Sequence, residues 1–172
     1  MSNPTELYLL RHAKALEPGK KWSGCDDRRP LSVEGAKKMR AIALGMRALK
    51  LKFDVILSSP YVRARQTAEI AAEAFKLAKK IKYSTHLAPT ANPAELLTEL
   101  QERGLTGRAI LVVGHEPFLT GLVSLLTTGQ GGLALNFKKA GLCRLTVSSF
   151  RPGRCAMLDW FLPPQVLARL AK

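Results

Sequence analysis

Short apolar segments alternate with longer amphipathic segments along this chain. Residues 5–10 form the apolar run TELYLL, which ends at the charged pair Arg11 and His12 as a buried strand ends at the edge of a sheet. Residues 53–57 (FDVIL) and 109–113 (AILVV) have the same character. These three segments predict the buried centre of a β-sheet.

Between these segments, apolar residues recur every three or four positions, which is the period of an amphipathic helix. In the first such segment Ser32 occupies the N-cap position, and Pro93 and Pro117 are each placed to open a later helix. Helices are predicted at residues 33–50, from Ala64 to Ala78, from Pro93 to Gly104, from Pro117 through Leu126, and after Pro163 and Pro164.

Three further strands are predicted outside the centre of the sheet. Residues 81–84 fit a brief edge strand, and residues 142–147 and 156–162 flank the hairpin turn at Pro152-Gly153. Strands that alternate with helices imply a mainly parallel sheet covered on both faces. We therefore expect an α/β three-layer sandwich with an antiparallel edge, and one domain over residues 1–172.

Composition adds a strong positive charge and little else. The 172 residues are 47% hydrophobic and carry 27 Lys and Arg against 13 Asp and Glu, a net charge of +14 that favours anionic partners. Neither a membrane span nor a secretory leader is visible, so we expect a cytoplasmic protein without a membrane partner. The cysteines, Cys25, Cys143 and Cys155, lack zinc or disulfide spacing, and we expect them to be reduced and buried.

Candidate phosphate ligands follow the ends of the predicted strands. Arg11 and His12 follow the first strand, Arg63 follows the turn after the second, and His115 follows the AILVV strand. In open α/β sheets the ligand site lies just outside the carboxyl ends of the strands. Two guanidinium and two imidazole groups suit the oxygens of a phosphoryl group and would be costly to bury without an anion. The sequence has no pocket carboxylate pair and no metal-ligand spacing, which disfavours glycosidase and metal chemistry.

This set of residues predicts phosphoryl transfer through a covalent phosphohistidine. A neutral imidazole can attack phosphorus when one of its nitrogens is free and the other is fixed by a hydrogen bond. We take His12 as the nucleophile. Arg11 and Arg63 would clamp the phosphoryl oxygens and stabilise the charge that builds during transfer, and His115 would be the fourth donor.

Five short motifs recur around the candidate ligands. They are Leu10-Arg11-His12-Ala13, Arg29-Pro30-Leu31-Ser32 with Glu34-Gly35, Ser59-Pro60-Tyr61-Val62-Arg63-Ala64 with Gln66-Thr67-Ala68-Glu69, Val113-Gly114-His115-Glu116-Pro117, and the basic turn Phe137-Lys138-Lys139-Ala140-Gly141. In order and spacing they resemble the short SixA-type phosphohistidine phosphatases of the histidine phosphatase superfamily, which also contains the phosphoglycerate mutases. The first motif resembles the Arg-His-Gly signature of that superfamily, with Ala13 in place of glycine.

The resemblance implies a phosphoglycerate-mutase-like fold and no metal or organic cofactor. It also implies that His12 is phosphorylated and that Arg11, Arg63 and His115 bind the phosphate. The mutase branch has a glutamate general acid where this chain has Leu87-Ala88-Pro89, and Pro89 cannot donate a proton. A phosphohistidine needs little more than a proton on its ring to leave, so the substitution favours SixA-type substrates.

Two glutamates leave the question of a general acid open, since Glu95 or Glu116 could still serve. Lys14, Arg28, Arg29, His86 and Glu116 are candidates for the rim of the site. For an isolated loop charge the solvated role is the more common one, and Arg65 is expected to be solvated as well.

The leading hypothesis is a phosphohistidine phosphatase that acts on a phosphorylated, acidic protein. A general phosphatase for small phosphomonoesters is the alternative among enzymes, and a non-catalytic basic module that binds anions or nucleic acid is the alternative in another class. Nucleic acid is disfavoured because no aromatic residues interleave with the basic ones. The short segment between residues 88 and 107 predicts an open site, and we expect a monomer.

Overall fold

Helices and strands alternate as the hydrophobic pattern predicts. The computed structural model describes residues 4–171, and no helix within that range is long and apolar enough to cross a membrane. The strands are β1 (Thr5–Arg11), β2 (Val55–Ser58), β3 (Ile81–Tyr83), β4 (Ala109–Gly114), β5 (Leu142–Val147) and β6 (Ala156–Leu162). The helices are α1 (Val33–Ala48), α2 (Val62–Phe75), α3 (Pro93–Glu102), α4 (Phe118–Thr128) and α5 (Pro164–Leu170). Short 3-10 turns lie at Asp26–Arg28, Ala78–Lys80 and Thr85–Leu87.

The strands form one sheet in the order β3-β2-β4-β1-β5-β6. Strands β1 to β4 run parallel, whereas β5 is antiparallel to β1 and β6 is antiparallel to β5. The predicted fold class, a mainly parallel sheet with an antiparallel edge, is confirmed. Because β1 and β4 are neighbours in register, Arg11 lies directly opposite Gly114.

The two faces of the sheet are covered by different helices. Alternating residues of β1 enter two separate clusters: Leu7 and Leu9 pack with residues of α3 and α4, while Tyr8 and Leu10 pack with residues of α1, α2 and α5. This period of two is the alternation of a strand whose faces are both buried. The clusters fix both faces of β1, and therefore the position of its carboxyl end.

Some predicted boundaries and one burial prediction are wrong. Helix α1 ends before Lys50, whose φ of 56° is left-handed, and α2 ends at Phe75 because Lys76 has a φ of 57°. Ala78 therefore belongs to a 3-10 turn, and Pro117 precedes α4 instead of opening it. All three cysteines are free thiols, but Cys25 is exposed because it lies on the loop before the Asp26–Arg28 turn.

The start of α1 packs tightly against the segment that follows His12. Ser32 caps the helix as predicted, accepting a hydrogen bond from the Gly35 amide at 3.0 Å, and its own amide donates to the Lys14 carbonyl at 3.0 Å. A Cβ on Gly35 would lie 1.9 Å from that carbonyl oxygen, so only glycine permits this approach. The Ser32 to Gly35 motif thus holds the loop after β1 in place.

Candidate active site

The parallel strands bring the predicted site residues to one edge of the sheet. The His12 amide donates to the Gly114 carbonyl at 3.0 Å, which continues the pairing of β1 with β4 beyond its last strand residues. The Ser59 amide donates to the Val113 carbonyl, also at 3.0 Å, and so joins the end of β2 to the end of β4. Residues 12, 59 and 115 therefore converge at the carboxyl ends of three adjacent strands.

The His12 ring is buried and neutral. Its Nδ1 donates to the Ala13 carbonyl at 2.8 Å, so its Nε2 carries the free lone pair. The His12 pKa is lowered to about 2, mainly by burial and in addition by the charges of His115, Arg63 and Arg11, while the bond to Ala13 acts in the opposite direction. The Ala13 amide in turn donates to Thr67 Oγ1 at 3.0 Å, which fixes the loop that holds the ring.

Arg63 donates a hydrogen bond to the unprotonated nitrogen of that ring. The side chain is 4% exposed, and its Nε donates to His12 Nε2 at 3.3 Å. Its Nη1 donates to the Asp26 carbonyl at 2.7 Å and its Nη2 donates to Asp26 Oδ2 at 2.9 Å. The guanidinium also lies 5.2 Å from the centre of the Tyr61 ring. Arg63 is therefore fixed at its end by Asp26 and on its side by the candidate nucleophile.

His115 lies beside His12, with 5.1 Å between the ring centres. Its Nε2 is 2.9 Å from Ser59 Oγ, while its Nδ1 is buried and has no hydrogen-bond partner among residues 4–171. Since Ser59 Oγ already accepts from the Tyr61 amide, it can donate its own proton to His115 Nε2 and leave Nδ1–H as a free donor. Burial, followed by the charge of Arg63, lowers the His115 pKa to about 3.

Arg11 supplies a second buried donor that has no partner. Its Nη1 donates to the Phe137 carbonyl at 2.5 Å, but its Nε is buried and unbonded within the described part of the chain. Buried donors in native proteins nearly always have a partner. The free N–H groups of Arg11 and His115, both close to His12, therefore mark where a ligand with acceptor oxygens would bind.

Lys139 is a further cation that sequence reasoning did not assign to the site. Partial burial lowers its pKa, and so do the nearby charges of Arg11, Arg29, Lys14 and Arg63. The sequence does contain a feature that indicates Lys139, because this residue lies in the basic turn Phe137–Gly141, one of the motifs described above. The Ala140 amide of this turn bonds the Arg11 and His12 carbonyls, so the turn is fixed to the end of β1.

The basic rim candidates have different roles. Lys14 is exposed and bonds Glu34 at 2.7 Å, and Arg28 is exposed on its 3-10 turn. Arg29 is mostly buried, donates to the Leu16 carbonyl and pairs with Asp26. Arg29 thus acts on the site through its contact with Asp26, whereas Lys14 and Arg28 lie at the surface. Arg65 is solvated as expected and lies 3.6 Å from Glu69.

The candidate acids and His86 are hydrogen-bonded to other side chains or exposed. The Glu116 carboxylate accepts from the Thr120 amide and hydroxyl and so caps α4, and its charge also acts on Arg11, raising the pKa of that guanidinium against the effect of burial. Glu95 is exposed in the first turn of α3. His86 bonds Glu99 through Nδ1 at 3.0 Å, with 42% of its side chain exposed. Within residues 4–171, no three Cys, His, Asp or Glu side chains come together in a way that could hold a metal ion.

Three residues that sequence reasoning missed as site components hold His12, Arg63 and His115 in place. Asp26 binds Arg63, Thr67 holds the loop after His12, and Ser59 holds His115. Ser59 and Thr67 lie in motifs that had been recognised, and Asp26 lies three residues before Arg29 of another. The assembled site presents one neutral imidazole nitrogen among cationic donors, which is an arrangement suited to attack on a phosphoryl group.

The chain is similar to several known proteins, a phosphohistidine phosphatase among them. The chain is 37% identical over 147 residues to an uncharacterised protein of Picosynechococcus, covering 85% of this chain and 87% of that protein. It is 27% identical over 126 residues to the phosphohistidine phosphatase SixA of Escherichia coli, covering 73% of this chain and 76% of SixA. A solved structure of the protein histidine phosphatase SixA complexed with tungstate matches with a TM-score of 0.78 and 23% identity, over 94% of this chain and 99% of that one.

The profile of the histidine phosphatase superfamily (branch 1) matches residues 7–88, a range that begins within β1 and extends through α1, β2, α2 and β3. The resemblance seen in the motifs is confirmed, and the relatives support phosphatase activity. The chain belongs to the histidine phosphatase superfamily.

Proposed function

We propose that the protein is a phosphohistidine phosphatase that dephosphorylates proteins through a covalent phosphohistidine on His12. The observation that carries the proposal is the unprotonated Nε2 of His12, 3.3 Å from Arg63 Nε, together with the buried nitrogens Arg11 Nε and His115 Nδ1, which have no partner among residues 4–171. A nucleophile with an available lone pair and donors for the oxygens of its target are the two requirements of phosphoryl transfer.

In the first step, His12 Nε2 attacks phosphorus while the bond from phosphorus to the substrate breaks. The guanidinium groups of Arg11 and Arg63 and the Nδ1–H of His115 bind the three phosphoryl oxygens, where negative charge accumulates. The His12 ring becomes a phosphorylated imidazolium that keeps its proton on Nδ1. The Ala13 carbonyl, 2.8 Å from that nitrogen, stabilises the positive charge.

In the second step, water attacks the phosphorus of phospho-His12. The bond from phosphorus to Nε2 breaks, His12 recovers its lone pair as a neutral imidazole, and orthophosphate leaves. The low pKa of His12 keeps the regenerated ring unprotonated and ready for another turnover.

The surroundings favour a substrate whose leaving group needs no enzyme acid. Pro89 stands where the mutase branch carries its glutamate, Glu116 caps α4, and Glu95 is exposed. A phosphohistidine that is protonated on its second ring nitrogen leaves as neutral imidazole, whereas an alkoxide requires a proton from the enzyme. This difference supports phosphohistidine over a sugar or glycerate phosphate as the substrate.

Charge supports an acidic protein as the partner. The net charge of +14 would steer an anionic surface towards the enzyme, and Lys14, Arg28 and Lys139 lie near the site as exposed cations. Between β3 and β4 the chain has only the Thr85–Leu87 turn, the helix α3 and their connections. So short a segment favours an open mouth that admits a side chain of another protein.

Phosphate release from a histidine-phosphorylated protein and from p-nitrophenyl phosphate, measured with a chelator present, tests the proposal. We expect wild type to prefer the phosphoprotein, and His12→Ala and Arg63→Ala to abolish turnover. Arg65→Ala is the matched control, since Arg65 lies on the same helix but pairs with Glu69 at the surface. Mass spectrometry of quenched enzyme should find an acid-labile phosphate on the peptide that contains His12.

The outcomes separate the alternatives. Faster turnover of the small ester would favour a general phosphomonoesterase with the same covalent step. If neither substrate turns over while phosphate or RNA binds near physiological salt, the protein is a binding module. Unchanged activity of His12→Ala would refute the assigned nucleophile.

A further inference from the structure

A carboxylate bound to a phosphate-binding arginine is unexpected, because it occupies donors that the substrate could use. Arg63 is 4% exposed, and both of its terminal nitrogens are taken by Asp26, one by the backbone carbonyl and one by the carboxylate. A buried guanidinium held by two bonds at its end cannot rotate freely. Asp26 therefore fixes the orientation of the guanidinium and with it the direction of Nε–H.

Of the five N–H groups of Arg63, Nε–H is the one that points at the reacting atom. It lies 3.3 Å from His12 Nε2, the lone pair that would attack phosphorus. A phosphoryl group approaching this nitrogen would meet the side of the guanidinium that carries Nε, and the end bound to Asp26 would not have to move. The two functions of the guanidinium, anchoring and phosphate binding, thus use different edges.

Asp26 is itself fixed by a second arginine. Arg29 donates to Asp26 Oδ1 from Nε at 2.9 Å and lies 2.9 Å from the same oxygen through Nη2, and its Nη1 donates to the Leu16 carbonyl at 2.9 Å. The Leu16 amide in turn donates to the Pro30 carbonyl. This network joins the Asp26–Arg28 turn to the segment that follows His12, so the carboxylate is held although 56% of its side chain is exposed.

We propose that Asp26, held by Arg29, is the positioning residue that aims Arg63 Nε–H at the phosphoryl group on His12. The proposal rests on the proposed function and deepens it. It assigns the Asp26–Arg29 pair a part in catalysis that is exerted only through Arg63. The rival interpretation is a gate, in which the carboxylate competes with substrate for Arg63 and must be displaced.

Asp26→Ala and Asp27→Ala form a matched pair of variants. Both remove one negative charge from the same 3-10 turn, but the Asp27 side chain is exposed and makes none of the contacts described above. For positioning, we expect Asp26→Ala to lower kcat about tenfold or more, with a smaller rise in KM, and to weaken inhibition by vanadate, because the misaligned donor serves the transition state most. Asp27→Ala should stay within about twofold of wild type, since neighbouring exposed charges contribute little.

A double variant shows whether Asp26 acts through Arg63. If it does, adding Asp26→Ala to Arg63→Gln should weaken vanadate binding no further than Arg63→Gln alone. Independent, multiplicative effects would overturn the proposal. A drop in thermal stability with unchanged kcat would also overturn it, because the carboxylate would then serve only the fold. Tighter vanadate binding and a lower KM in Asp26→Ala would establish the gate instead.

A measurement without turnover keeps this test separate from the proposed function. The Nε–H resonance of Arg63, observed by ¹⁵N NMR, should exchange slowly with water in wild type and in Asp27→Ala. It should shift and exchange faster in Asp26→Ala. If wild type hydrolyses neither substrate, the proposed function fails, while the NMR and vanadate measurements still decide whether Asp26 orients Arg63. An unchanged resonance in Asp26→Ala would refute the orientation.

Discussion

Lowering the pH should leave the His12 ring uncharged over the range in which an ordinary histidine titrates. The ring is 5% exposed, burial is the first cause of its low pKa, and the adjacent cations act in the same direction. At pH 5 an ordinary histidine is protonated in a ratio of about 30 to 1, whereas a group with a pKa of about 2 is neutral in a ratio of about 1000 to 1. The nucleophile therefore stays available in weak acid.

Two assays examine this expectation in the free enzyme. In proton NMR spectra, the Cε1–H signals of His12 and His115 should keep the same chemical shift between pH 8 and pH 5. The profile of kcat/KM, corrected for the ionisation of the substrate itself, should show no acidic limb near pH 6.5. A His12 midpoint between pH 5.5 and 7.5 would refute the reasoning, because it would mean that burial does not suppress protonation of the ring.

The same low pKa values predict how stability changes with pH. The pKa values of His12 and His115 are about 2 and about 3 in the folded protein and 6.5 when the chain is unfolded. As the pH falls below 6.5, the unfolded chain takes up protons that the folded protein refuses, so the folded state is disfavoured. The contribution of the two rings to stability is therefore complete above about pH 6.5 and is lost as the pH falls towards 3. Urea unfolding at pH 7.5 and pH 5 measures this loss.

Three further predictions concern residues around the nucleophile. Thr67→Val leaves the buried Ala13 amide without its acceptor and should lower the free energy of urea unfolding by about 1–3 kcal/mol. Thr127→Val is the control, because it loses only a bond to a carbonyl within α4. Equal losses of stability in the two variants would contradict the role assigned to Thr67. Lys139→Ala should raise KM for an acidic phosphoprotein more than for p-nitrophenyl phosphate, and Lys138→Ala is the control. An equal rise of KM for both substrates would exclude a contact between Lys139 and the protein partner. Arg11→Met should weaken vanadate binding at least tenfold, which corresponds to roughly 1.4 kcal/mol or more. His12 should nevertheless stay neutral at pH 6 in this variant, since burial is the first cause of its low pKa. A protonated His12 at pH 6 would show that the charge of Arg11 dominates that pKa.

The four main site residues could be found from sequence because each follows a buried strand. Arg11 and His12 follow TELYLL and His115 follows AILVV, and both strands are apolar enough to be recognised without a structure. That they meet depends on β1 and β4 being neighbours, which the hydrophobic pattern does not contain. The structure supplies this pairing in the register of Arg11 with Gly114.

The supporting contacts could not be predicted because they join side chains to atoms far away in sequence. Arg63 reaches the backbone carbonyl of Asp26, 37 positions earlier, and Arg11 reaches that of Phe137, 126 positions later. A carbonyl has no residue-type signature, so no motif indicates it. Cys25 was misjudged for a related reason, since its exposure depends on the path of a loop and not on its own side chain.

Burial is the physical condition that joins the parts of this site. It keeps His12 neutral, and it leaves the free N–H groups of Arg11 and His115 without water, so that they would bind a phosphoryl oxygen more strongly than exposed groups would. The same four side chains at the surface would carry a protonated histidine in weak acid and fully hydrated arginines. The motif supplies the groups, but the helices that cover both faces of the sheet supply the burial that gives those groups their chemistry.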